Sequence, residues 1–242
     1  MILKKPLVLL AALFAAQSVH AHATWIAQRL DQPTIIYGHG GEDNAYGGKT
    51  VSHLTGLDKD GKAIALAMEK HEHNVTLKAD DSHFAAAYVI DNGFWTKTKD
   101  GKWVNKPKHE VENAERASHS IKTALGILHG GGKVDAAALG DLKLVVVPLA
   151  DVAASHMGDK VAVQVLFEGK PLAGAKIIGD YVNDSENVVA TTDADGKADV
   201  TVRNAGWNVF AVGHKVDLQD DKNADAVSYT ATLSFNNTHH EH

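Results

Sequence analysis

From Gln32 onward, short runs rich in Val, Ile, Leu, Thr and aromatic residues alternate with clusters of Gly, Asp, Asn and Pro. No long stretch repeats its apolar positions at helical spacing. The pattern predicts strands over 33–37 and 49–54, divided by the glycine-rich loop 38–48, whose backbone needs dihedrals that glycine takes most readily. Asp58-Lys59-Asp60-Gly61 and Lys99-Asp100-Gly101-Lys102 each set Asp-Gly between strand-like flanks, a strong short-range hairpin signal. Runs over 84–90, 94–98 and 118–128 continue the β reading, with a helical turn expected over 111–117 and a loop at His129-Gly130-Gly131-Gly132. The apolar run 142–147, closed by Pro148, reads as a buried strand ending at a domain junction. Beyond it 160–167 alternates, Glu168-Gly169-Lys170-Pro171 and Asp193-Ala194-Asp195-Gly196 supply turns, and further strands are expected over 175–181, 198–202, 207–212 and 229–235.

The class is therefore all-β, expected as two β-sandwich domains, the second of the immunoglobulin or prealbumin type. They are expected over 22–150 and 151–236, with the boundary within 151–158 and a His-rich tail over 237–242. A mature chain of about 220 residues is long enough for two small cores.

The start of the chain changes the setting. Lys4 and Lys5 precede an apolar stretch over 7–16 that is too short to span a bilayer comfortably, and small residues follow, which is the layout of a secretory signal peptide over 1–21. Cleavage fits after Ala21 or after Ala23; the Ala-His-Ala pattern leans to the second, and the first leaves His22 as residue one. A periplasmic location is expected. No later hydrophobic run approaches the roughly 20 continuous apolar residues of a membrane helix, so stable membrane insertion is not expected. Export permits disulfides, yet the chain has no cysteine, which leaves an ordinary core and rules out thiolate ligands. Without the two signal lysines, 22 Lys plus Arg stand against 30 Asp plus Glu. Nucleic acid is excluded as a partner, because phosphate binding demands a concentrated basic surface.

Fifteen histidines are the compositional feature that points to chemistry. Imidazole is a good ligand for Ni²⁺, Co²⁺, Cu²⁺ and Zn²⁺. His71 and His73, two apart, would present both rings on one face of a strand. His39 lies between glycines in a loop, where the backbone can approach a site closely. A terminal His22 would offer its α-amine and its ring to one ion, and an amine of pKa near ~8 yields its proton readily to a competing metal. His53, His83, His109, His119, His129 and His156 show no such pairing and read as structural or exposed, and His239, His240 and His242 form a tail that would bind metals weakly. Gly-x-Ser-x-Gly, His-Glu-x-x-His, phosphate-loop and dinucleotide signatures are all absent, so no enzyme activity is expected.

Gly169-Lys170-Pro171-Leu172-Ala173-Gly174-Ala175, Thr192-Asp193-Ala194-Asp195-Gly196 and Gly206-Trp207-Asn208-Val209 resemble the module shared by carboxypeptidase regulatory-like and prealbumin-like domains. Across the mature chain, His22-Ala23-Thr24-Trp25, Tyr37-Gly38-His39-Gly40, Thr96-Lys97-Thr98-Lys99-Asp100-Gly101 and Tyr229-Thr230-Ala231-Thr232-Leu233-Ser234-Phe235 resemble the family of periplasmic components of nickel and cobalt uptake systems. The resemblance implies a nickel or cobalt ion as cargo, a membrane importer as partner, cleavage after Ala21, and ligands at His22 and at His214 near the rim of the second domain. Two other readings stay open: a copper carrier or copper redox site built on the terminal histidine chelate, and a structural envelope module that holds no metal.

Overall fold

The computed structural model describes residues 22–140 and 142–237; the signal segment and the tail from 238 onward lie outside the described residues. Alternation along the strands sorts the seventeen strands of the described residues into three layers. The middle layer contains β3 (Val51–Leu57), β4 (Ala63–Ile64), β7 (Ala85–Thr98), β8 (Trp103–Val104), β9 (Ala114–Ile127), β13 (Lys176–Ile178), β14 (Val188–Thr191), β16 (Trp207–Asp217) and β17 (Ala226–Asn236), in the order β14-β13-β16-β17-β9-β7-β3-β4 with β8 beside β7. One face is covered by β1 (Ala23–Arg29), β2 (Gln32–Gly38), β6 (Val75–Lys78) and β5 (Ala67–Lys70), the other by β10 (Leu144–Pro148), β11 (Lys160–Phe167), β12 (Lys170–Pro171) and β15 (Lys197–Thr201).

At its centre both faces of the middle sheet are buried, so there its strands need apolar or satisfied residues at consecutive positions. In β7, Ala85, Ala87 and Val89 join the core beneath β10 and β11, whereas Ala86, Tyr88 and Ile90 join the core beneath β1, β2 and β6. In β17, Tyr229, Ala231, Leu233 and Phe235 take the first side. Thr232 and Ser234 take the second, and both bond β1.

The all-β reading holds. The division expected at 150/151 is not a division of the core, because β17 pairs in parallel with β9 over ten residues, Ala226 with Ser118 through Phe235 with Ile127. Phe84, Leu125, Val146, Val163, Phe210 and Phe235 all belong to one cluster. The helical turn expected over 111–117 is also replaced: β9 starts at Ala114 because Ala114, Arg116 and Ala117 pair with β7, and the nearby 3-10 turn spans Lys108–Glu110, before that run. Among the described residues no helix is long and apolar enough to cross a membrane.

Strand β1 is the outer strand of its sheet, and the edge it turns away from β2 would leave backbone groups unpaired. Side chains of the middle sheet take them up. Lys122 Nζ donates to the His22 carbonyl, Thr232 Oγ1 donates to Thr24 O at 2.6 Å, and the Ile26 amide donates to Ser234 Oγ at 3.3 Å. Gly126 permits this approach, since a Cβ there would lie 2.7 Å from Ile26 Cδ1. The leading end of β1, where His22 sits, is thereby fixed on the body of the protein.

Candidate metal site at the leading end of β1

The β1–β2 ladder ends at the pair Ala23 and Gly38, so His22 and His39 flank the same open end. Past Gly38 the chain folds back so tightly that a Cβ on this residue would lie 2.2 Å from the Glu42 carbonyl oxygen. This return carries the Glu42 side chain to His22, with Oε2 3.7 Å from Nε2. The His22 ring stacks on Tyr37, with centroids 5.3 Å apart and planes 9° apart. On the other flank His39 meets the loop that joins β13 to β14: its Nε2 lies 3.1 Å from Ser185 Oγ and 3.5 Å from Glu186 Oε1. Tyr181, from that loop, donates its hydroxyl to Gly38 O at 3.3 Å and packs edge-on against Trp25 of β1. Two histidines and two carboxylates thus line one rim, built from both halves of the chain.

The electrostatics keep the leading imidazole neutral. Burial lowers the His22 pKa below the ordinary 6.5, the Lys122 ammonium lowers it further, and Glu42 opposes them. A neutral ring is the form that can donate a lone pair to a metal. Among the described residues, however, no three His, Asp or Glu side chains already converge as a ligand set.

The family comparison covers this whole arrangement. Residues 19–216 match the family described as a domain of unknown function, DUF4198. The chain belongs to that family. An uncharacterized protein of Haemophilus influenzae is 27% identical over 178 residues, which span 72% of this chain and 74% of the relative. No solved structure matches the chain. The family match takes in His22, His39, Glu42, Lys122, Glu186 and His214 together.

The other expected ligands stand apart from the rim. His214 follows Phe210 and Val212 on the β10–β11 side of the middle sheet, where its ring lies 4.5 Å from that of Phe167; His22 is on the opposite side. The two cannot share an ion, because the middle sheet stands between them. His71 and His73 are not on a strand. They sit in the turn between β5 and β6, closed by the His71 amide on Asn74 O, so the alternation that would align their rings does not apply. His71 Nε2 lies 3.3 Å from Thr76 Oγ1, and His73 Nε2 lies 3.5 Å from Glu72. His83 is structural, buried between Asp80 and the Ala65 carbonyl.

Lys122 is the residue that sequence reading passes over. It is 1% exposed, its amine lies 5.8 Å from the Tyr37 ring centre, and burial pushes its pKa down to about 8. Between about 8 and the ordinary 10.5 the unfolded chain keeps a proton that the folded chain has released, so stability should rise with pH across that window. Urea unfolding of the parent should show a gain of about 1–2 kcal/mol from pH 7 to pH 9. Lys122→Met should abolish the slope, while the orphaned His22 carbonyl costs about 1–3 kcal/mol. A slope that survives the substitution would locate its origin elsewhere.

Proposed function

We propose that this protein is an exported carrier of a borderline divalent metal ion, nickel or cobalt, which it hands to a membrane importer without transforming a substrate. The observation that carries the reading is the rim itself. A neutral His22 imidazole stands beside the Glu42 carboxylate, and His39 flanks the same open strand end. Export cleavage after Ala21 would add the His22 α-amine to the ring nitrogen, giving one residue two nitrogen donors. Histidine and carboxylate donors suit this group of metals, and the absence of cysteine removes the softer alternative. The choice of nickel or cobalt and the importer rest on the sequence resemblance. An incomplete ligand set suits a carrier, since a closed four-ligand site would resist release.

The test is metal accumulation at limiting supply. A strain lacking the gene should take up less nickel or cobalt, with uptake restored by the parent and not by His22→Ala. Unchanged uptake combined with lowered copper tolerance would replace this reading by the copper one.

A further inference from the structure

Past Ile90 the middle sheet narrows. The last β3 partner of β7 is Val51 opposite Ile90, and β17 first pairs with β9 at Ala226 opposite Ser118. Beyond those points β8, β7 and β9 continue by themselves as a three-stranded antiparallel finger, with residues 94–98 in the middle. It extends from the end of the sheet that holds His22: from Lys122, which bonds His22, β9 runs back to Ala114, about 26 Å of strand.

The two faces of the finger differ. Thr96 and Thr98 are buried on one face, donating to the carbonyls of Lys106 and Lys102. On the other, the register sets Trp103, Lys97 and Arg116 in one row across the three strands. Trp103 is 51% exposed, and the Arg116 guanidinium lies 5.6 Å from its ring centre. Lys99 follows at the exposed tip. From 97 to 106 the chain has four lysines and one aspartate, leaving 20 Lys plus Arg against 29 Asp plus Glu elsewhere. Asp100 holds Lys102 at 2.9 Å, Glu115 lies 3.9 Å from Lys97, and Glu110 and Glu112 lie in the return to β9, so from 94 to 117 six Lys plus Arg stand against four Asp plus Glu. A basic, aromatic tip on an acidic protein is a local exception.

We propose that this finger adsorbs reversibly to an anionic phospholipid surface, with Trp103 at the headgroup level and Lys97, Lys99, Lys102 and Lys106 around it. Indole rings favour the membrane interface, and long lysine side chains keep their charge at the headgroups while their stems cover apolar surface. A fluid headgroup layer asks for no fixed partner geometry, whereas an acidic protein would need a shaped pocket for the tryptophan. The proposal is independent of the metal reading. Where both hold, adsorption places the His22 rim at the membrane side of the molecule.

The chain from His22 onward carries the whole described fold and leaves out the basic, apolar leader. It should cosediment with vesicles of phosphatidylcholine plus phosphatidylglycerol, and not with phosphatidylcholine alone, with binding that weakens as salt is raised. Each cation removed near such a surface loosens partition about fivefold, so Lys99→Gln with Lys106→Gln should lower it about 25-fold. Trp103→Ser should lower it as well and abolish the fluorescence blue shift on vesicle addition. Lys59→Gln with Lys62→Gln removes the same charge at the opposite end of the sheet and should change little. No binding to anionic vesicles, or equal losses from the two double variants, overturns the proposal.

Discussion

A fragment spanning 22–150 is expected to fail to fold, although it contains every strand of one expected domain. Cutting there removes β17 and leaves β9 with ten residues of open edge in the middle of a sheet. It also uncovers Leu125 and Ile127, which are 0% and 3% exposed in the intact chain. The strand that carries His22 suffers as well, because Thr232 and Ser234, two of its side-chain anchors, lie on β17. The fragment should show no cooperative thermal transition and should aggregate through the open edge. The intact chain should unfold in one step, with equal calorimetric and van't Hoff enthalpies. A gentler version keeps every residue but one: Phe235→Ala, fully buried against Phe210 with ring centres 5.4 Å apart, should cost about 3–5 kcal/mol and lower a single transition. A fragment that folds, or two separate transitions in the variant, would show that the two halves are independent after all.

The contrast between what was legible and what was not follows from the range of the interactions. The strand over 160–167 is read to the residue because its alternation is local, and Gly61 and Gly101 turn the chain where Asp-Gly marks it, at φ of +84° and +87°. The pairing of β9 with β17 joins residues more than a hundred positions apart and leaves no local trace in either strand. Strand β1 escapes for a different reason. Its two-residue hairpin turn places Leu30 and Asp31 at φ of +46° and +61°, where Asn-Gly or Asp-Gly would have announced the turn. At the rim, His39 stands out in the sequence between its glycines, whereas His22 enters mainly through the family resemblance. Glu186 and Lys122 leave little local trace, since one arrives from the loop between β13 and β14 and the other from β9; the one signal for Lys122 is a charged residue within an apolar strand run. The resemblance to the nickel and cobalt uptake family also drew His214 into the ligand set, and the alternation of β16 sends it to the far face.

That separation of faces gives the sharpest prediction about the metal. In a chain that starts at His22 and ends at Asn237, so that the tail histidines cannot compete, titration calorimetry should find one Ni²⁺ bound. His22→Ala should weaken it by at least about a hundredfold, because substituting even an outer partner of a ligand commonly costs ~10–100-fold. Glu42→Gln should cost about tenfold on the same scale, keeping the size of the side chain while removing its charge. His214→Ala, on the opposite side of the middle sheet, should leave the affinity unchanged, as should His71→Ala and His73→Ala in their exposed turn. Acidification should release the ion, since protons compete for the α-amine and the imidazoles. His22 itself resists this competition further down the pH scale than an ordinary histidine, because burial and the Lys122 ammonium already disfavour its charged form. Adding an acetyl group to the His22 α-amine separates the two donors of that residue: it should weaken binding while the imidazole, Glu42 and His39 stay in place. Equal affinity in the parent and in His22→Ala would remove the rim from consideration, and a loss confined to His214→Ala would move the site to the other face of the sheet.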